Sequence, residues 1–353
     1  MVGISLLTLV PGELGGTETY VRSLTAALAE RSPDDLVAFV PPVAPDAGAG
    51  LRTVVVEEYR RARTLRQRAL AMALAGVRPG PIRRRFGRLE AMHYPLTIAL
   101  PEADAPFAIT LHDVLHIDHP ELFPRIEGLL RKVAYDRSAR RAQLVVVPSA
   151  FVRDRAVERL GLRPERVRVI HHGIDHRRFT PGEEPREPFL LYPARPWPHK
   201  NHARLFEAFA LLRRERPELG LVLTGGGHGG RPVPPGVEVK GLVPPEELAL
   251  LLRRASALVF PSLYEGFGAP PLEAMACGCP VAVSRIPPLE EVCGEAARTF
   301  DPTEPEDIAA TISALLDAPE RLVAAGLERA ARFTWAESAR LHTEVYREVR
   351  SRS

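Results

Sequence analysis

Residues 260–284, FPSLYEGFGAPPLEAMACGCPVAVS, decide how this chain is read, and the remainder is taken outward from them. Ala257 to Phe260 is a short apolar run of the kind that fills a buried parallel strand. Pro270 and Pro271 suit the first helical positions, where a missing N–H costs nothing. Leu272, Met275 and Ala276 then recur on one helical face, and Gly278 marks the stop. Pro280 to Val283 reads as the next strand. The Gly-containing turn opens a helix N-terminus, where unpaired N–H groups and the positive end of the dipole attract an anion such as phosphate. Glu265 and Glu273 flank this turn with seven residues between them, one in the loop and one in the expected first helical turn. Carboxylates accept hydrogen bonds from hydroxyls, so the pair suits a sugar on one side of a phosphate and a ribose on the other. The plainer alternative makes Glu273 a dipole-complementing acid and Glu265 a solvated loop residue.

The string EGFGAPPLEAMACGCPV, residues 265–281, resembles the signature of retaining glycosyltransferases of family 4 (group 1). The resemblance extends over nearly the whole chain and is closest over residues 189–300. It implies an α/β chain of GT-B fold, with two Rossmann-like parallel-sheet domains facing across a cleft. Residues 1–180 would form the acceptor domain and 181–334 the nucleotide-sugar donor domain, with the helix 335–351 crossing back onto the first. The GxGxxG dinucleotide fingerprint is missing from the first turn.

Bulk composition bounds the alternatives. A chain of 353 residues, 45% hydrophobic and 26% charged, is long enough for two cores and too apolar to be disordered. The net charge of +3 is too small to argue for nucleic acid. Cys277, Cys279 and Cys293 lack the spacing of a structural zinc site and read as reduced, buried thiols. Among the 47 Lys and Arg residues only Lys132, Lys200 and Lys240 are lysine. No apolar run reaches the length of a membrane span, and MVGISLLTLVPGELGG reads as a buried strand, not a leader, so a cytoplasmic location is expected.

Working along the chain, Ile4 to Val10 reads as the first strand, ending in a turn that places Gly15 and Gly16 before a helix. Glycines there let a backbone approach a ligand. Leu36 to Val40 and Thr53 to Val56 read as strands. Arg60 to Arg88 is basic with interleaved Leu, Ala and Met, which suits anionic lipid at the inner face of a membrane, an anionic acceptor, or a merely solvated helix. Phe107 to Leu111 is a buried strand delivering His112 and Asp113 at its C-terminal end, where open α/β sheets place their chemistry. The His and Asp residues that follow match no zinc-site spacing, and no metal is assigned. Ser149 suits a helix cap, and Thr180 to Pro188 a linker.

After the strand Phe189 to Ala194, RPWPHKN sets Arg195 and Lys200 five apart at a strand end, a forked and a point cation suited to a diphosphate. Asn201 suits a helix cap. Leu221 to Thr224 leads to the loop GGGHGG at Gly225, which either approaches a nucleotide or merely turns.

The resemblance assigns Arg195, Lys200, Glu265 and His112 to the reacting end of the donor. It assigns Gly15, Gly16, Gly225, Leu242, Val243, Gly266, Phe267, Gly268 and Glu273 to donor binding. The implied activity is metal-independent transfer of a hexosyl group, mannosyl first, from a nucleoside-diphosphate sugar to a hydroxyl of a saccharide or glycolipid acceptor. No cofactor is implied. The alternatives are a sugar-nucleotide epimerase or phosphorylase of the same fold, the latter needing a pyridoxal lysine, or a non-catalytic basic binding module.

Overall fold

The structure is a computed structural model that describes residues 1–352. It divides into two compact units, Met1–Gly173 with Trp335–Ser353, and Ile174–Thr334. The sequence placed the division in the linker after Thr180; it lies a few residues earlier. Ile174 already bridges to Thr334, and Phe179 is buried in the core of the second unit.

The first unit is built on strands β1 (Val2–Ser5), β2 (Leu36–Val40), β3 (Arg52–Val55), β4 (Ala91–Tyr94), β5 (Phe107–Thr110), β6 (Leu144–Val147) and β7 (Val167–Val169). They form one sheet in the order β3-β2-β1-β4-β5-β6-β7, with every neighbouring pair parallel. Inner strands such as β2 and β6 are buried on both faces, which is why they read as continuous apolar runs. One core gathers Val37, Phe39, Met92, Tyr94, Ile109 and Val145, while Ala38, Val40, Ala91, Ala108, Leu144 and Val146 enter the other. The strand period of two thus deals alternate residues to the two faces.

The first strand is shorter than the sequence predicts. Leu6 to Val10 are buried but turn, with the Leu9 amide donating to the Leu6 carbonyl at 2.9 Å. A buried turn and a buried strand have the same hydrophobic signature. Strand β4 was missed altogether, since AMHY carries a histidine where a buried strand is expected to be apolar. The helix Trp335–Ser351 belongs to this unit and buries Ser338, Ala339, His342, Val345, Tyr346 and Val349 along one stripe.

The second unit comprises β8 (Glu187–Pro193), β9 (Gly220–Thr224), β10 (Val237–Gly241), β11 (Ala255–Phe260), β12 (Val281–Ser284) and β13 (Arg298–Phe300). Its all-parallel order is β10-β9-β8-β11-β12-β13. Each sheet therefore reverses its winding once, between β1 and β4 in the first and between β8 and β11 in the second. Open α/β sheets bind ligands beyond the carboxyl ends of the strands at such a reversal.

Candidate active site

In the second unit, the loops leaving β8 and β11 carry the residues the sequence singled out. Three hydrogen bonds fix the first loop. The Tyr192 hydroxyl donates to the Lys200 carbonyl at 2.6 Å, the Leu263 amide to the His199 carbonyl at 2.8 Å, and Asn201 Nδ2 to the Pro261 carbonyl at 3.0 Å. Asn201 Nδ2 also reaches the Pro302 carbonyl at 2.7 Å. The expected side-chain cap at Asn201 is not made. The residue sits in the left-handed region, at φ 60°, which asparagine tolerates, and its amide ties the two loops together instead.

The consequence is a direct ion pair at the sheet reversal. Lys200 Nζ lies 2.5 Å from Glu265 Oε1, with side chains only 13% and 12% exposed. The ammonium also stands 5.3 Å from the centre of the Phe260 ring. Arg195 leaves β8 beside the glycine loop. A Cβ built on Gly225 would lie 3.0 Å from the Ala194 carbonyl carbon and 3.1 Å from the Arg195 amide nitrogen, and Gly225 has φ +105°. Only glycine lets β9 exit that close to Arg195. The Gly225 amide donates to the Gly241 carbonyl at 2.7 Å, which brings the end of β10 to the same edge. Beyond it Leu242 is exposed and Val243 half-buried.

The loop Gly266–Gly268 delivers backbone. Phe267 is buried, with its ring 6.0 Å from that of Phe333, so only its main chain is left to meet a ligand. Gly268 has φ +96°, and a Cβ there would stand 2.4 Å from Leu289 Cδ2. It precedes the helix Ala269–Ala276, where Glu273 lies in the second turn, not the first. That placement weakens the dipole reading, because the effect fades beyond the first turn. Burial pushes the Glu273 carboxyl up to about 7, with Arg178 opposing and Asp175 adding to the rise.

In the first unit Gly15, at φ 54°, precedes the helix Gly16–Arg31, whose Glu18 accepts from the Gly12 amide at 2.7 Å. The same helix presents Tyr20 to His112, ring centroids 4.9 Å apart and nearly perpendicular. His112 Nε2 lies 2.9 Å from the Pro95 carbonyl, at the exit of β4. A carbonyl only accepts, so Nε2 carries the proton and Nδ1 the lone pair. Burial lowers the His112 pKa, against the opposing effects of Pro95 and Asp113. Asp113 accepts from the Leu115 amide at 2.9 Å and orders the loop. The acids and histidines that follow are paired within the protein, Asp118 with Arg155 and Arg159, His116 with Asp136, and His119 with Glu121. Among the described residues no group of three or more His, Cys, Asp or Glu is placed to hold a metal ion.

Sequence reasoning missed Tyr192 and the bridging role of Asn201 in the second unit, and Tyr20, His93, Thr110 and His342 in the first. Each is a polar group buried among apolar neighbours, and no local motif marks it.

Comparison with known proteins bears on both units. A family model described as Glycosyltransferase Family 4 matches residues 14–178, and one described as Glycosyl transferases group 1 matches residues 174–332. The MMP alpha-(1->4)-mannosyltransferase of Mycolicibacterium hassiacum is 34% identical over 228 residues, 60% of this chain and 55% of that protein, so the match spans little more than half of that relative's length. The D-inositol 3-phosphate glycosyltransferase of Segniliparus rotundus is 27% identical over 392 aligned residues, 93% of this chain and 83% of that one. The solved structure of HepE from Anabaena in complex with UDP and glucose superposes with a TM-score of 0.74 at 18% identity, covering 98% of this chain and 99% of that one, a likeness of fold.

Proposed function

We propose, from the premise that this chain belongs to the group 1 glycosyltransferases and has their GT-B fold, that it moves a hexosyl group from a nucleoside-diphosphate sugar to a hydroxyl acceptor with retention at the anomeric carbon. The observation that carries this reading is the Lys200–Glu265 pair at the reversal point of the six-stranded sheet. A cation and a carboxylate on adjoining strand exits are the two groups that a diphosphate and a hydroxylated ring require. Each is the other's partner until a ligand takes its place.

In this reading Lys200 and Arg195 meet the charge that grows on the departing diphosphate. Preorganised cations act most strongly where charge develops in the transition state. Glu265 accepts from sugar hydroxyls beside the backbone of Gly266–Gly268, and Glu273 from the ribose. His112 offers Nδ1 to the sugar near its reacting carbon. The bond from the acceptor oxygen to the anomeric carbon forms on the face from which the diphosphate leaves, and the acceptor proton passes to a diphosphate oxygen. No residue is assigned as a nucleophile, and the charge of the diphosphate is answered by side chains without a divalent ion.

Mannose is proposed as the sugar on the strength of overall likeness, in keeping with the mannosyltransferase among the relatives. A peripheral membrane contact is proposed through the helices Leu65–Val77 and Gly80–Phe86. Leu70, Leu74 and Val77 are exposed there at helical spacing, among Arg66, Arg78, Arg84 and Arg88. Among the described residues no helix is long and apolar enough to cross a membrane.

The test is a donor panel of GDP-mannose, UDP-glucose and UDP-N-acetylglucosamine, with and without a chelator, followed by release of nucleoside diphosphate. Chelator-insensitive release from GDP-mannose is expected, while no release from any donor would leave a binding module. Sedimentation with vesicles of anionic against neutral lipid tests the membrane contact; equal binding to both would remove it.

A further inference from the structure

The seven-stranded unit contains a line of buried polar side chains for which the reaction above has no use. Tyr346 Oη lies 2.9 Å from His93 Nδ1, and His93 Nε2 lies 2.9 Å from Thr110 Oγ1. Thr110 Oγ1 lies 3.0 Å from Tyr20 Oη, Tyr20 Oη 3.0 Å from His342 Nε2, and His342 Nδ1 2.7 Å from the Ser338 carbonyl. All five side chains are at most 3% exposed. They come from β4, β5, the helix Gly16–Arg31 and the helix Trp335–Ser351.

The proton positions along this line follow from one fixed end. The Ser338 carbonyl can only accept, so His342 carries its proton on Nδ1 and accepts at Nε2. Tyr20 must then donate to His342, which leaves its oxygen to accept from Thr110. Thr110 has spent its only proton, so His93 donates from Nε2 and accepts from Tyr346 at Nδ1. This holds for neutral imidazoles, and burial lowers the pKa of both His93 and His342. One arrangement satisfies every bond, and all five bonds run in the same direction.

We propose that this one-way relay is a positioning device for His112, with Tyr20, Thr110, His93 and His342 as positioning residues. Tyr20, held at its hydroxyl by a donor on one side and an acceptor on the other, cannot swing, and its ring is the surface against which His112 stands at 4.9 Å. Thr110 is two residues before His112, and its carbonyl accepts from Thr97 Oγ1 at 2.8 Å. The same tyrosine is on the helix that Gly15 and Gly16 open. The relay therefore fixes the His112 ring and the start of that helix in a single relation, while the Pro95 carbonyl sets Nδ1 as the acceptor. This rests on the role given to His112 above.

Two measurements test it separately. Long-range proton–nitrogen NMR of the imidazoles should find His93 and His112 protonated on Nε2 and His342 on Nδ1, all neutral at pH 7.5. Any other tautomer at His93 or His342 overturns the relay, whether or not the protein is a transferase. Thr110→Val keeps the side-chain shape and removes the hydroxyl; turnover should fall about tenfold with donor KM changed less than about twofold, whereas Thr110→Ser should retain wild-type turnover. In a His112→Ala background Thr110→Val should cost nothing further. Equal losses in both backgrounds, or unchanged turnover in Thr110→Val, would show that the relay does not act through His112. If Thr110→Val fails to fold, Tyr20→Phe replaces it in the same cycle with the same expected outcomes.

Discussion

The two sheets solve opposite problems with opposite chemistry. At the reversal of the six-stranded sheet the polar groups are charged, paired and partly reachable, with Lys200 and Glu265 13% and 12% exposed. In the relay of the seven-stranded unit the polar groups are neutral and sealed, with His93 and His342 at 0% exposure. A buried ion pair is held by two charges, either of which a ligand with matching charge can take over. A chain of neutral groups with one proton each has nothing to exchange, since moving one bond breaks its neighbours. Charge suits the place where a ligand is gripped, and neutrality the place where a geometry is kept.

The hardest blow to this contrast would fall on the ion pair. Lys200→Ala and Glu265→Ala should each lower turnover about a hundredfold or more. Each should also destabilise the protein by about 3 kcal/mol, because the partner is left as a nearly buried, unpaired charge. The double variant should regain most of that stability and none of the turnover. Urea unfolding alongside donor hydrolysis checks this, and a folded single variant with near-normal activity would remove the site assignment.

Acid tests the neutral side. The unfolded pKa of His342 is near 6.5 and the folded value is pulled down to about 4, first by burial, with the bond to the Ser338 carbonyl opposing. Its contribution is fully present above pH 6.5 and is lost as pH falls toward 4, about 3 kcal/mol in all. His342→Gln should flatten the stability profile between pH 6.5 and 4, and an unchanged slope would show that His342 is not held neutral. Asn201→Ala should come next, costing about 2 kcal/mol through two lost bonds to buried carbonyls, and raising donor KM as the Lys200 loop loosens from the Glu265 loop. A stability loss with unchanged KM would separate the bridge from the site.

Glu273 gives the smallest effect and the opposite sign. Its folded pKa is raised to about 7, so its contribution is present below pH 4.5 and lost as pH rises through 7. The side chain is half-buried, and water reduces the slope. His202, pulled down to about 4 chiefly by burial, works against it in the same unit. The measurement is therefore the difference between wild type and Glu273→Gln, and no difference between pH 4.5 and 7 would place that carboxyl in free contact with solvent.

How much of this was legible in the sequence follows the same division. The choice of Lys200 and Glu265 as site residues, and the resemblance that implied the fold, rest on short, local strings, RPWPHKN and EGFGAPPLEAM, whereas the direct pairing of the two side chains emerged only in the structure. Strand β4 and the relay were not legible. His93 interrupts the apolar pattern that would have marked the strand, and Tyr20 and His342 are 322 residues apart. Asn201 was misread because an asparagine before a helix is ordinarily a cap; that its backbone turns left-handed and its amide faces another loop is decided by tertiary contacts that no window of sequence contains.

The helix Trp335–Ser351 completes a sheet whose strands are made far earlier. On a ribosome, β4 and β5 emerge with His93 still short of Tyr346 and Tyr20 still short of His342, and the whole of Ile174–Thr334 is synthesised before those two partners arrive. The contiguous second unit is thus free to fold during translation, while the first waits for its closing piece, a delay that holds any nascent chain short of that helix in a form open to chaperones and proteases.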